Sequence, residues 1–218
     1  MSTFDGLGYA RRPMNVARVV AVVAVLPIAG CSFPSLSRAS AVRFHGEATD
    51  PIGDTASVAD ARVARPADLV YAGVQVTNDA LRLTVRFAPG SLDPATTGAT
   101  VLLDTDLDPE TGVPSSGLGA DYLVSLRAGP LREATAARAM TDANCTPPGI
   151  PCRYEPFEHA EVVLLNDEMD AVFPRSAFAR FAGRLNFRVI AYANLDGGRQ
   201  TRTSDDMPNL PAEIIAVR

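Results

Sequence analysis

The chain has 218 residues, of which 47% are hydrophobic and 21% are charged, and its 20 basic and 25 acidic residues give a formal net charge of -5. A chain of this length can bury the core of one ordinary domain without help from metals or disulfides. The acidic balance argues against a nucleic-acid partner, because binding to a phosphate backbone requires an excess of basic groups.

The first thirty residues have the pattern of a bacterial export signal. An apolar run at residues 19–29 follows three basic residues, Arg11, Arg12 and Arg18. The run is shorter than the roughly 20 apolar residues of a membrane-spanning helix, but it has the length of a signal h-region. It leads into Ile28-Ala29-Gly30-Cys31, which resembles the lipobox of bacterial lipoproteins. We therefore predict a signal peptide over residues 1–30 and lipidation of Cys31, including palmitate.

This prediction places the protein in the cell envelope, attached to a membrane on the extracytoplasmic side. Residues 31–41 are rich in serine and are predicted to form a flexible tether, with one domain over residues 42–218. Met14 begins a complete signal of its own, so Met1 and Met14 both remain possible starts. The alternative for the apolar run is a short buried strand that ends in an ordinary cysteine.

The rest of the chain has the pattern of short β-strands. Residues 81–87 alternate between apolar side chains and Arg or Thr, and residues 70–76 alternate likewise. Between them, Asn78-Asp79 is typical of a tight hairpin turn. Further strands are predicted at residues 42–48, 100–103, 122–127, 134–140, 160–165, 169–173, 185–193 and 214–217.

Helical turns are expected only at residues 175–181 and 91–96. The alanine-rich residues 133–140 are ambiguous, because alanine has a high helix propensity. Many short strands separated by Gly, Pro, Asn and Asp predict an all-β fold, an antiparallel β-sandwich of jelly-roll type in a single domain.

A dense acidic motif follows the strand predicted at residues 100–103. Asp104, Asp106 and Asp108 occupy alternate positions, and Asp121 comes after a stretch rich in glycine and serine. Carboxylates are hard oxygen ligands, and Ca²⁺ takes about six to eight oxygens in irregular loops. We therefore predict that these four aspartates bind a structural calcium ion. The alternative is a solvated acidic loop whose aspartates cap turns.

Cys145 and Cys152 are predicted to form a disulfide. The intervening Thr-Pro-Pro-Gly-Ile-Pro segment cannot be helical and has to turn, which brings its two ends together. A disulfide suits an oxidising compartment outside the cytoplasm. The alternatives are two free thiols or a metal site, for which His159 is the only candidate histidine.

Four short motifs occur in order along the chain: Asp50-Pro51-Ile52-Gly53-Asp54, then Leu103-Asp104-Thr105-Asp106 with Thr111-Gly112, then Gly119-Ala120-Asp121-Tyr122, and finally Ser204-Asp205-Asp206-Met207-Pro208-Asn209. The set resembles secreted bacterial β-sandwich domains of the DOMON and family 9 carbohydrate-binding-module types, over most of residues 42–218. This resemblance implies a jelly-roll-like sandwich that binds sugars or haem, with structural calcium in some members.

Two features depart from the pattern of these families. Tryptophan is absent and aromatic residues make up 6% of the chain, which disfavours the stacking of sugar rings on aromatic faces. A haem-binding member would use Met and His as axial ligands. The candidates are His45, His159, Met140 and Met169, and no spacing selects a pair among them.

Sequence motifs of common enzymes are missing. The chain contains no Gly-x-Ser-x-Gly elbow, no phosphate-binding loop and no His-Glu-x-x-His motif. Glycoside hydrolysis needs two carboxylates across a sugar bond, and the sequence does not single out such a pair. We therefore expect a non-catalytic binding or assembly module whose partner is a glycan or an envelope protein. The alternative is a carbohydrate-processing enzyme or a haem-binding domain on the same fold.

Overall fold

The computed structural model describes residues 42–55, 66–115, 117–141, 143–178, 181, 184–195, 199–207 and 215–217. The predicted signal peptide, Cys31 and the tether lie outside the described residues. Within these ranges, no helix is both long enough and apolar enough to cross a membrane.

The described residues form thirteen β-strands and one short 3₁₀ helix, Arg175–Ala177. The strands are β1 (Phe44–Thr49), β2 (Leu69–Val76), β3 (Ala80–Phe87), β4 (Thr97–Asp104), β5 (Val113–Ser115), β6 (Leu118–Ala120), β7 (Tyr122–Arg127), β8 (Glu133–Met140), β9 (Arg153–Leu165), β10 (Glu168–Pro174), β11 (Leu185–Leu195), β12 (Arg199–Met207) and β13 (Ile215–Val217).

Eleven of these strands form one sheet in the order β1-β2-β3-β10-β9-β8-β7-β4-β11-β12, with β13 also paired to β11. Strands β5 and β6 form a separate hairpin. Every pairing is antiparallel. The predicted all-β antiparallel fold is therefore confirmed.

The long strand β9 pairs with different neighbours along the two parts of its length. Its first part pairs with β8, from Arg153 to Glu161, and its last part pairs with β10, from Val162 to Leu165. The sheet curls far enough for β12 to meet β2, where the Leu69 N–H donates a hydrogen bond of 2.6 Å to Asp205 Oδ2. The result is a nearly barrel-shaped sheet around one hydrophobic core.

The alternation predicted for β3 sets the inner and outer faces of this sheet. Its apolar side chains are buried in the core, each with 1% of its surface exposed, namely Leu81, Leu83, Val85 and Phe87. On the outer face, Arg82 pairs with Asp170 of β10 at 2.6 Å and Arg86 pairs with Glu168 at 2.8 Å. Hydrophobic burial thus fixes the register of β3, because a shift by one residue would bury the arginines.

Strand β4 is buried on both faces along its whole length. One face belongs to the main core, and on the other face Leu102 packs with Leu118 and Ala120 of the β5–β6 hairpin. The hairpin therefore covers the outer surface of β4 at the end that leads into the acidic motif.

The strand predicted at residues 134–140 is confirmed as β8, and Ala134 and Ala136 belong to the core, so the ambiguity of the alanine-rich segment is resolved in favour of a strand. The two predicted helical turns are shorter than expected. Residues 91–96 form turns without a helix: the N–H groups of Thr96 and Thr97 donate to the Asp93 carbonyl oxygen in one isolated turn, which the Asp93 carboxylate caps. Of the helical turn predicted at residues 175–181, the described part contains the 3₁₀ helix Arg175–Ala177, and residues 179–180 lie outside the described residues.

Candidate functional site

Three of the four predicted calcium ligands meet at one end of β4. Asp104 is the last residue of β4, Asp106 lies two residues further in the loop, and Asp121 lies between β6 and β7. Each of the three offers a carboxylate oxygen, and these oxygens all lie within 4.8 Å of one another. We call these three residues the acidic trio.

Backbone and hydroxyl groups of the loop hold the trio in place. Thr105 donates two hydrogen bonds to Asp121 Oδ2, from its N–H at 2.8 Å and from its hydroxyl at 2.7 Å. The Leu107 N–H donates to Asp104 Oδ1 at 2.7 Å. Because these donors belong to the loop itself, the loop conformation and the positions of the carboxylates depend on each other.

Two members of the trio are shielded from solvent, and Asp106 is exposed. Asp104 has 1% of its surface exposed and Asp121 has 8%. Burial raises the pKa of Asp104 to about 6, and the charges of Asp106 and Asp121 act in the same direction, against the hydrogen bonds from Leu107 and Asn186. Across the described parts of the chain, no arginine or histidine forms an ion pair with these carboxylates.

Asp108 does not join the trio. Its carboxylate accepts a hydrogen bond from the Glu110 N–H at 3.0 Å, and the residue is exposed. Asp106 likewise accepts the Asp108 N–H at 3.1 Å, in addition to its place in the trio. The loop therefore combines the two arrangements considered for the sequence, a cluster of carboxylates and aspartates that cap turns.

The β5–β6 hairpin supports the acidic loop through direct backbone contact. Gly119 lies so close to the loop that a Cβ atom at this position would overlap the carbonyl oxygens of Thr111 and Asp108. Gly112 has a φ of 67°, a left-handed conformation that favours glycine. Both glycines are therefore required by the way the loop packs against the hairpin.

The surroundings of the trio are apolar on one side. Tyr154 of β9 packs against the cluster formed by Leu102, Leu118 and Ala120. Its hydroxyl is buried and has no hydrogen-bond partner among the residues described. Burial raises the pKa of Tyr154, and the nearby charge of Asp121 raises it further.

A cleft of about 510 Å³ opens next to Asp121. One wall comes from the acidic loop, with Glu110, Thr111 and Gly112, and another comes from Gly149 and Pro151. The last two belong to the loop closed by Cys145 and Cys152, whose sulfur atoms lie 2.12 Å apart, as the predicted disulfide requires. The cleft also contains polar and apolar side chains, namely Asp121, Tyr122, Arg138 and Met140. Its volume is in the range of small-ligand sites.

The candidate haem ligands are in different environments. The side chains of His45 and His159 are 38% and 60% exposed, and each lies beside a glutamate, Glu47 and Glu133 respectively. Met169 is fully buried in the core, and Met140 lines the cleft. No arrangement of these four residues within the described ranges indicates an axial pair.

Sequence reasoning did not assign ligands to a second acidic group. Asp50, Asp54 and Asp205 offer carboxylate oxygens within 4.8 Å of one another, at the place where β12 meets β2. Asp206, next to Asp205, faces elsewhere and pairs with Arg188 at 3.3 Å. The motifs that contain these residues were visible in the sequence, but only the closure of the sheet brings them together.

No protein-family model matches the sequence, and a search of curated proteins finds no match.

Proposed function

We propose that this chain is a lipid-anchored protein of the bacterial cell envelope whose β-domain is a non-catalytic binding module stabilised by calcium. The acidic trio carries the calcium part of this proposal. The lipobox-like segment that ends at Cys31 supports the anchor. The order of the acidic motifs, which resembles that of DOMON and family 9 carbohydrate-binding modules, supports a binding role.

Calcium suits the trio better than other common ions. Ca²⁺–oxygen distances of about 2.3–2.6 Å place two ligands of one ion up to about 5 Å apart, which agrees with the separation of 4.8 Å or less within the trio. The trio contains only carboxylates, whereas zinc and copper sites generally use histidine or cysteine. Backbone carbonyls and waters would complete the coordination shell.

The same ion would shape the neighbouring cleft. Asp106 and Asp121 belong to the trio, while Thr111 and Asp121 line the cleft, and the Thr111 hydroxyl donates to Asp106 Oδ2 at 2.9 Å. Binding of calcium would therefore fix one wall, and the disulfide loop fixes another. We propose that this cleft binds a polar group of an envelope glycan or protein.

The calcium proposal is tested by the thermal unfolding of the full chain in detergent after treatment with a chelator. At 100 times its dissociation constant, calcium bound only to the folded state adds about 2.7 kcal/mol. For a domain of this size, we expect the melting temperature to rise by about 5–11 °C. Magnesium should produce a smaller rise, because it requires stricter octahedral geometry.

Two variants of the same loop identify the site. Asp106→Asn removes one charge of the trio and should reduce the calcium-dependent rise. Asp108→Asn is the matched control, since Asp108 is also exposed but lies outside the trio, and it should leave the rise unchanged. If calcium does not raise the melting temperature, or if both variants behave alike, the trio is not a calcium site.

The anchor has a separate test. Cys31→Ser should abolish the incorporation of labelled palmitate in the native bacterial host and leave unprocessed precursor. Undiminished labelling of this variant would exclude Cys31 as the lipid acceptor.

A further inference from the structure

Four aspartates come together where the two ends of the sheet meet. Asp50 and Asp54 lie just after β1, Asp68 lies just before β2, and Asp205 lies in β12. The carboxylates of Asp50, Asp54 and Asp205 lie within 4.8 Å of one another. We call these four residues the seam cluster, because they connect β12 to the β1–β2 side of the sheet.

Two hydrogen bonds to backbone N–H groups position the seam cluster. Asp205 Oδ2 accepts the Leu69 N–H at 2.6 Å, across 136 residues of sequence. Asp68 Oδ2 accepts the Gly53 N–H at 2.9 Å. These contacts fix one carboxylate from β12 and one from the start of β2, and they join both to the turn that carries Asp54.

One carboxylate oxygen at the seam has no hydrogen-bond donor within the described ranges. Asp68 is 8% exposed, and its second oxygen, Oδ1, is buried without a hydrogen-bond partner among the described residues. A buried carboxylate oxygen without a donor is costly, since it loses its hydration without compensation. This observation is independent of the distances within the cluster.

The charged groups that act on Asp68 and Asp205 are acidic. Burial raises the pKa of Asp68, and the charge of Asp54 raises it further, against the hydrogen bond from Gly53. Asp205 is 2% exposed, and burial raises its pKa to about 7, with the charges of Asp50, Asp54 and Asp68 acting in the same direction. A bound cation would lower the energy of all four carboxylates at once.

We propose that Asp50, Asp54 and Asp205, with Asp68 beside them, bind a second calcium ion, separate from that of the acidic trio, and that this ion fastens β12 to the start of β2. Four carboxylates without nitrogen or sulfur ligands form a hard oxygen site. Their attachment to three separate chain segments means that the ion would act as a cross-link between the two ends of the sheet.

The test is a count of bound ions in the full chain in detergent, by calorimetric titration of the chelator-treated protein with Ca²⁺. We expect two ions per chain. Asp54→Asn should weaken one of them by at least about tenfold, because ligand charge sets calcium affinity. Asp54 is exposed, so this variant should fold normally. Asp79→Asn changes another exposed turn aspartate, belongs to neither acidic group and should still bind two ions tightly.

A second measurement locates the ion at the seam. The amide of Leu69 donates to Asp205, so calcium should slow its hydrogen exchange in the wild-type chain and in Asp106→Asn, but much less in Asp54→Asn. Two tight ions in Asp54→Asn, or exchange at Leu69 that does not respond to calcium, would overturn the proposal.

The two calcium proposals fail in different ways. A single ion that is lost in Asp106→Asn and kept in Asp54→Asn would leave the trio as the only site and refute the seam site. A single ion with the opposite behaviour would support the seam site and refute calcium binding by the trio.

Discussion

Gly119 is the residue through which the support of the acidic loop can be tested most directly. In Gly119→Ala, the new Cβ would overlap the carbonyl oxygens of Thr111 and Asp108 and would lie 3.0 Å from the carbonyl carbon of Pro109. All three atoms are backbone atoms, so no flexible side chain can move aside. The loop or the hairpin has to shift.

We expect this shift to cost about 1–3 kcal/mol, the usual range for overpacking in a well-packed region. For a domain of this size, the melting temperature should fall by about 2–12 °C. The free energy of unfolding is measured by urea titration, which also shows through its slope whether the unfolded state has changed.

Gly129→Ala is the matched control. A Cβ at Gly129 would meet only the Ala95 carbonyl oxygen at 3.6 Å, an ordinary contact. Its stability should therefore change by less than about 1 kcal/mol. If Gly119→Ala is as stable as the wild type, or if both variants lose the same free energy, contact with the hairpin does not hold the acidic loop.

Two further predictions concern pH. Asp170 is buried, but hydrogen bonds from Arg82 and Thr84 and the charge of Arg82 outweigh that burial and lower its pKa below the ordinary 3.8. Asp170→Asn should therefore cost about 1–3 kcal/mol at pH 7, and urea titrations should show this difference closing as the pH falls below about 4. In protein from which a chelator has removed calcium, the pKa is raised to about 6 for Asp104 and to about 7 for Asp205. At pH values between the ordinary 3.8 and these raised values, the folded state therefore binds more protons than the unfolded state. The free energy of unfolding of the calcium-free protein should then increase as the pH falls from 8 to about 5, and calcium should remove this trend. A free energy of unfolding that does not change with pH in the calcium-free protein would contradict the prediction.

Local sequence patterns were sufficient for the strands whose side chains alternate. Strand β7 has the bounds predicted from its sequence, and β3 buries the predicted apolar face. In both strands, every second residue is apolar, so the side that faces the core can be identified without knowledge of the rest of the fold.

Strand β12 and the first part of β9 were missed because their sequences are polar. Strand β12 contains Arg, Gln, Thr, Ser and Asp until Met207, and the first part of β9, from Arg153 to His159, is largely exposed. These segments become strands by pairing with β11 and β8, whose own positions are fixed by the core. Pairing between distant segments has no local signal in the sequence.

Part of the acidic trio could be predicted, because two of its members are close together in the sequence. Asp104 and Asp106 are neighbours in sequence, so their spacing alone indicated a site, and Asp121 follows after a short hairpin. Spacing alone did not show that Asp108 lies outside the trio, because spacing does not tell which aspartates turn outwards to cap the loop. The seam cluster depends on the closure of the whole sheet, and so the sequence could not place its members together.

Under the two calcium proposals, the availability of calcium would connect the two acidic groups with the predicted anchor. Both groups bury carboxylates next to each other, which destabilises the fold unless a cation balances them. Extracellular calcium modules bind with dissociation constants of about 10⁻⁴–10⁻³ M, concentrations that the cytoplasm does not provide. A domain that depends on two such ions would be weakly stable before export and would gain its full stability only outside the cytoplasm. The seam ion would matter most for this change, since it joins segments 136 residues apart that close the sheet.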